Sequence, residues 1–207
     1  MISLFIDTSA TDVSIAVIKG NKILSSITKE VPGTHSIYTT KFIDDLLKEA
    51  KILPKDINKI MVVNGPGSFT GVRIGVTIAK TMAYLLNIDL IPISSLKMLS
   101  LSTNHDYCLS IINANHDNYY LSLYDKDNKE VIKEQFNSKE KVLELVNKYN
   151  PKIISNENIE IDNIKVFKQE LDFISIINNY LNEKPINPHL LVPNYLKLPQ
   201  AMEKNND

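Results

Sequence analysis

The sequence predicts an α/β protein built from two successive units, and three observations carry that prediction. Short apolar, β-branched runs recur at residues 2–7, 13–19, 59–64, 90–93, 107–113 and 151–155, with the length and composition of buried strands. Segments with apolar residues at helical spacing stand between several of them. After a polar stretch at residues 103–106, the second half restarts as the first began, with three strands and then a helix. The first half reads strand, hairpin, strand, helix, strand, helix, strand, helix, which is an α/β layout with an antiparallel hairpin added to a parallel sheet. The expected division is therefore 1–104 and 105–207, with no residue-level repeat between the halves.

The elements follow in order. Residues 2–7 are almost uninterruptedly apolar and read as a buried strand. Residues 13–19 form a second, Gly20-Asn21 a two-residue turn where positive φ is cheap, and residues 22–30 the returning strand. Val31-Pro-Gly-Thr34 punctuates the chain. Phe42, Ile43, Leu46, Leu47 and Ala50 then mark one apolar face of a helix over 35–51, which Pro54 closes. Residues 59–64 are another buried strand, 71–86 are helical, 90–93 are a short strand, and Ser94 or Ser95 caps a helix over 96–102. In the second unit, strands are expected at 107–113, 119–125 and 129–136, the last two joined by a turn at Lys126-Asp-Asn128. Ser138 caps a helix over 139–149, residues 151–155 are a strand, 156–163 a polar loop, and 171–181 a helix. Four prolines from Pro185 onward make the tail extended.

Composition narrows the function classes. The 207 residues carry a formal net charge of −1, so no global basic field exists to hold nucleic acid or an anionic membrane. The single Cys108 excludes a disulfide framework and a multi-cysteine zinc site, and fits a reducing cytosol. The first residues lack a signal peptide's basic start and cleavage site. The longest mostly apolar stretch, 71–93, is broken by Arg73, Lys80 and Asp89, so no membrane span and a cytoplasmic location are expected. Of 23 basic residues 22 are Lys, beside 28 Ile and 22 Asn, a nucleotide-composition bias against which the one Arg73 stands out.

Four of six glycines, Gly65, Gly67, Gly71 and Gly75, fall within 11 residues between a strand and a helix. Phosphate loops occupy that place, but the spacing fits neither G-x-x-x-x-G-K-S/T nor G-x-G-x-x-G. One alternative is a tight turn with Ser68 or Thr70 as helix cap. Another uses the helix itself, where Gly71, Gly75, Ala79 and Ala83 recur every four residues and form a smooth stripe that lets another backbone approach. Ile74, Ile78, Met82 and Leu85 lie opposite. A helix apolar nearly all round needs cover on two sides, which points to a second subunit.

Asp7-Thr8-Ser9 closes the first strand where sugar kinases and actin-like ATPases grip phosphate, yet Ala10-Thr11 stands where such loops use glycine. The alternative is an Asx turn. The histidines, His35, His105, His116 and His189, show no His-x-x-x-His spacing. No G-x-S-x-G elbow occurs, and Cys108 lies within an apolar strand, where a thiol is inert.

The run Gly65-Pro-Gly-Ser-Phe-Thr-Gly-Val-Arg-Ile-Gly75, with Ile6-Asp-Thr-Ser9, His35-Ser36, Ala79-Lys80, residues 91–96 and Pro193-Asn-Tyr-Leu-Lys197, resembles the bacterial TsaB family, formerly YeaZ. Its members serve the machinery that makes threonylcarbamoyladenosine beside the anticodon of tRNA. The resemblance implies two actin-like (ASKHA) lobes, each a mixed sheet with an N-terminal antiparallel hairpin and flanking helices. It implies a non-catalytic scaffold that binds a TsaD-type catalytic subunit and, with it, a TsaE-type ATPase. A homodimer can form through the same helices, and tRNA is met only indirectly. The interface residues so implied are His35, Gly71, Arg73, Gly75, Ala79 and Ala83. Asp7, Thr8 and Ser9 remain candidates for nucleotide, no cofactor or metal is required, and ATP or ADP has room at a subunit interface. TsaD-like proteins carry a His-x-x-x-His metal pair where this chain reads His35-Ser-Ile-Tyr-Thr39. A frequent Asp-Ala-Arg element of the family is replaced by Asn113-Ala114-Asn115. The readings left standing beside the scaffold are an ATP-dependent carbamoyl transferase or glycoprotease-like enzyme, and a nucleotide-binding module.

Overall fold

The structure is a computed structural model and describes residues 1–101, 103 and 105–197. The first sheet has the order β3-β2-β1-β4-β5. Its strands are β1 (Ile2–Asp7), β2 (Asp12–Lys19), β3 (Lys22–Glu30), β4 (Lys59–Gly65) and β5 (Asp89–Ser94). The β1–β2–β3 pairings are antiparallel and β1–β4–β5 parallel. The second sheet has the order β10-β9-β6-β7-β8, from β6 (Tyr107–Asn113), β7 (Asn118–Asp125), β8 (Glu130–Ser138), β9 (Lys152–Ser155) and β10 (Val166–Lys168). Strands β6–β7–β8 are antiparallel and β6–β9–β10 parallel. The two sheets thus share one topology, so the restart read in the sequence is a duplicated architecture.

Among the described residues, five α-helices cover the sheets: α1 (His35–Ala50), α2 (Phe69–Leu86), α3 (Ser95–Ser100), α4 (Lys139–Tyr149) and α5 (Phe173–Tyr180). Strand β1 is mostly apolar, with Leu4, Phe5 and Ile6 fully buried, because both its faces are covered. Leu4 pairs with Val17 and Ile60 and faces α1 and α2. Phe5, one residue on, pairs with Ala16 and Met61 and faces α5, with the Phe5 and Phe173 ring centroids 5.5 Å apart. Helix α4 packs on the second sheet through Val142 and Leu145, and α3 inserts Leu96 and Leu99 against Cys108 and Ile112 on that sheet's other face.

Several expectations are refined. The second sheet begins at Tyr107, whereas α5 and Leu191 pack against the first sheet. The expected end of the third helix, Ser102, lies outside the described residues. Strand β10 was not expected, since only three residues form it. Ser138 stands at the start of α4 without a side-chain capping bond, and the last helix starts at Phe173 because Asp172 Oδ1 accepts the N–H groups of Ile174 and Ser175 at 3.1 Å.

Candidate partner interface

The glycine-rich run packs the start of α2 onto the turn after β1. Asp7 Oδ1 accepts the Ser9 N–H at 2.8 Å, the Asx turn of the sequence reading. Ser9 O accepts from Ser68 N at 2.7 Å, and Thr8 Oγ1 donates to Gly71 O at 2.7 Å. Ser68 caps α2, its Oγ accepting the Gly71 N–H at 3.2 Å. A Cβ on Gly67 or Gly71 would collide with the carbonyl oxygens of Ser9 or Thr8, and one on Gly75 with Thr8 Oγ1. The glycines therefore serve close approach within the chain. The Ser9, Ser68 and Gly71 amides, which a phosphate would use, are already engaged.

This geometry corrects the expectation for the stripe. Gly71 and Gly75 rest on Thr8, and Ala79 and Ala83 are buried in the core of the first sheet. The stripe is the inner face of α2. Small residues suit any close packing, and the partner here is Thr8, 63 positions from Gly71 in sequence. His35 is likewise not outward-facing: its Nε2 lies 2.9 Å from Ala10 O, and Thr39 Oγ1 donates to His35 O at 2.6 Å. Position 39, which a metal pair would need, is thus tied to helix backbone. Among the described residues, no three His, Cys, Asp or Glu side chains converge to hold a metal ion.

What α2 turns outward is its other side. Ile78 and Met82, with Thr40, Ile43 and Leu47 of α1 and Pro54, line an open apolar groove of about 320 Å³. Among the described residues, the one charged side chain lining it, Asp44, is paired with Lys48 Nζ at 2.5 Å.

Arg73 is exposed, but its partners lie within the chain. Its guanidinium stands 3.7 Å from the Phe69 ring centre and its Nε donates to Tyr195 Oη at 2.7 Å. Lys80 Nζ donates to Leu191 O at 2.8 Å, and Asn194 N to Asn64 O at 2.7 Å. Asn194 Nδ2 reaches Glu134 Oε2 on β8 at 2.8 Å, and Ser94 Oγ bonds the same carboxylate. These contacts seat the proline-rich tail as a strap along α2. Lys80, Asn64 and Glu134 were missed as site residues; the tail's prolines and its family-like Pro193–Lys197 run were the available signal.

A second space, also about 320 Å³, lies between the lobes beside the Ser9–Thr11 turn. Asn113, Asn115, Asn156, Tyr120 and Ser68 line it, and among the described residues Glu157 is its one carboxylate, with no Lys, Arg or His. Asn113 Oδ1 accepts the Asn115 N–H at 2.9 Å, and Asn115, His116 and Asp117 all have positive φ, so the replaced family element here shapes the β6–β7 turn. Asp7 borders a neighbouring hollow, and burial pushes its carboxyl above the usual range against the lowering effect of the Ser9 hydrogen bonds.

A family model described as TsaD, tRNA N6-adenosine threonylcarbamoyltransferase, matches residues 27–184. The TsaB protein of Bacillus subtilis is 37% identical over 130 residues, which cover 62% of this chain and 57% of that protein. The TsaB protein of Buchnera aphidicola from Baizongia pistaciae is 30% identical over 216 residues, covering 93% of this chain and 96% of its own. The chain belongs to the TsaB family. YeaZ from Pseudomonas aeruginosa superposes with a TM-score of 0.78 at 20% identity, over 94% of this chain and 99% of its own, and so shares the fold. The two mixed sheets expected of a TsaB-family chain, each with an antiparallel hairpin, are those observed. Among the described residues, no helix is long and apolar enough to cross a membrane.

Proposed function

We propose that this chain is a non-catalytic scaffold subunit in the formation of threonylcarbamoyladenosine next to the anticodon of tRNA. It binds a TsaD-type catalytic subunit through the outward faces of α1 and α2, and the pair then receives a TsaE-type ATPase. A second copy competes for the same face, tRNA is met through the partner, and the setting is the cytoplasm. The observation that carries this reading is the α1–α2 groove, an open apolar trough whose one charged lining residue is already paired. Such a surface fits a protein partner better than a polar substrate. The inter-lobe space supports the same reading, because a polyphosphate would meet one carboxylate and no cation among the described side chains that line it.

The test is light scattering on the chain, a cognate TsaD-type subunit and their mixture. A one-to-one complex that Met82→Lys abolishes, with the variant alone keeping its melting temperature, is the expected result. A complex indifferent to Met82→Lys, no complex under any nucleotide condition, or ATP turnover by the chain alone would each overturn the scaffold reading.

A further inference from the structure

Helix α2 has α1 on one flank and the strap on the other. The strap runs antiparallel to the helix: His189 lies against Tyr84, with ring centroids 4.9 Å apart, Leu191 O takes Lys80 Nζ, and Tyr195 takes Arg73. Pro188–Leu190 form one 3-10 turn, contrary to a tail extended throughout, and the strap runs extended from Leu191. Leu191 is 2% exposed in the core of the first sheet, whereas Leu190 and Val192 are 73% and 63% exposed. On the helix, Leu85 is 73% exposed, three residues beyond Met82 and thus one turn along the same face. Among the described residues, nine of thirteen exposed large apolar side chains lie on α1, the loop after it, α2 or the strap. That concentration on one side of the chain marks a protein contact.

We propose that the strap is the second half of the partner surface. Leu190 and Val192, joined through Leu85 to the α1–α2 groove, are covered by the same TsaD-type subunit that covers the groove. The inference rests on the docking reading above and extends it to a segment that neither helix contains. One occupant covers both because the groove and the strap meet on a single helix. The strap is also ordered in advance. Lys80, Arg73 and Asn64 hold it to the first lobe, and Glu134 holds Asn194 to the second, so binding does not have to order it.

The experiment measures affinity for the purified TsaD-type subunit by titration calorimetry, using the full chain, the double variant Leu190→Ser/Val192→Ser, and Met82→Lys. The strap variant is expected to bind about tenfold more weakly or worse, with its own melting temperature unchanged. Hydrogen exchange on the wild-type complex is expected to show added protection at residues 190–192. If Met82→Lys loses binding while the strap variant binds as the wild type does, the strap inference falls and the docking reading stands. If both variants bind as the wild type does, both readings fall. Should the double variant melt early, Val192→Thr keeps the shape and tests the same contact, and full affinity with no added protection would overturn the inference.

Discussion

Replacing Gly75 by alanine tests where α2 turns its small residues. In a helix interior that change alone stabilises by about 1 kcal/mol. Here the new Cβ would run into Thr8 Oγ1, which donates to Gly71 O from a fully buried position. Overpacking of this kind costs about 1–3 kcal/mol, and a buried hydroxyl turned from its acceptor costs about 1–3 kcal/mol more. The penalties win, and a net loss of about 1–5 kcal/mol is expected. At this chain length, each kcal/mol lowers the melting temperature by about 2–4 °C. Removing the obstacle reverses the sign. In a Thr8→Ala background Oγ1 is gone and Thr8 Cβ would stand 3.6 Å from the new methyl, an ordinary contact. Gly75→Ala should then be neutral or stabilising by up to about 1 kcal/mol. Urea unfolding followed by far-ultraviolet circular dichroism on the four proteins of the cycle gives the coupling directly. A Gly75→Ala effect that is the same in both backgrounds, or stabilising beside Thr8, would refute the packing of α2 on the β1 turn.

Two further outcomes follow from buried ionisable groups. The raised Asp7 carboxyl means that, between its unfolded value of about 4 and its folded value, the native state keeps a proton that the unfolded chain has lost. Stability therefore falls as pH rises through that window and carries the full cost of the buried charge above it. Asp7→Asn, which can still accept the Ser9 N–H, should stabilise at neutral pH and lose that advantage near pH 4; a gain independent of pH in urea midpoints would contradict this. Burial pushes the Cys108 thiol up to about 11, so a thiol reagent at pH 8 should label the unfolded chain and leave the native one unmodified. Rapid native labelling would mean that β6 is open to solvent.

What the sequence disclosed was local and periodic. β1 is legible because a strand buried on both faces has no polar alternation to confuse, and α1 because Phe42, Ile43, Leu46 and Leu47 all face one core. β10 escaped notice because three residues with two side chains exposed carry almost no pattern. The stripe on α2 was visible, but small residues report close packing without naming what is packed, and only the Thr8–Gly71 contact decides it. Arg73 stood out by its rarity, while its partner Tyr195 lies 122 positions away. Helix α5 was expected, yet amphipathicity does not say which sheet a helix covers.

That last contact bears on how the protein is made. The face of the first sheet formed by Phe5, Met61 and Ile93 is closed by Phe173, Ile176 and Ile177, each contributing about 1.5–3 kcal/mol when buried. Synthesis proceeds from the N-terminus, so the earliest strands leave the ribosome long before their cover exists. Residues 107–168 contain every strand of the second sheet together with α4, and that sheet can assemble while the first still shows water an apolar flank. The half of the molecule translated first is thus the half completed last, and until α5 arrives it is the segment a holding chaperone would find.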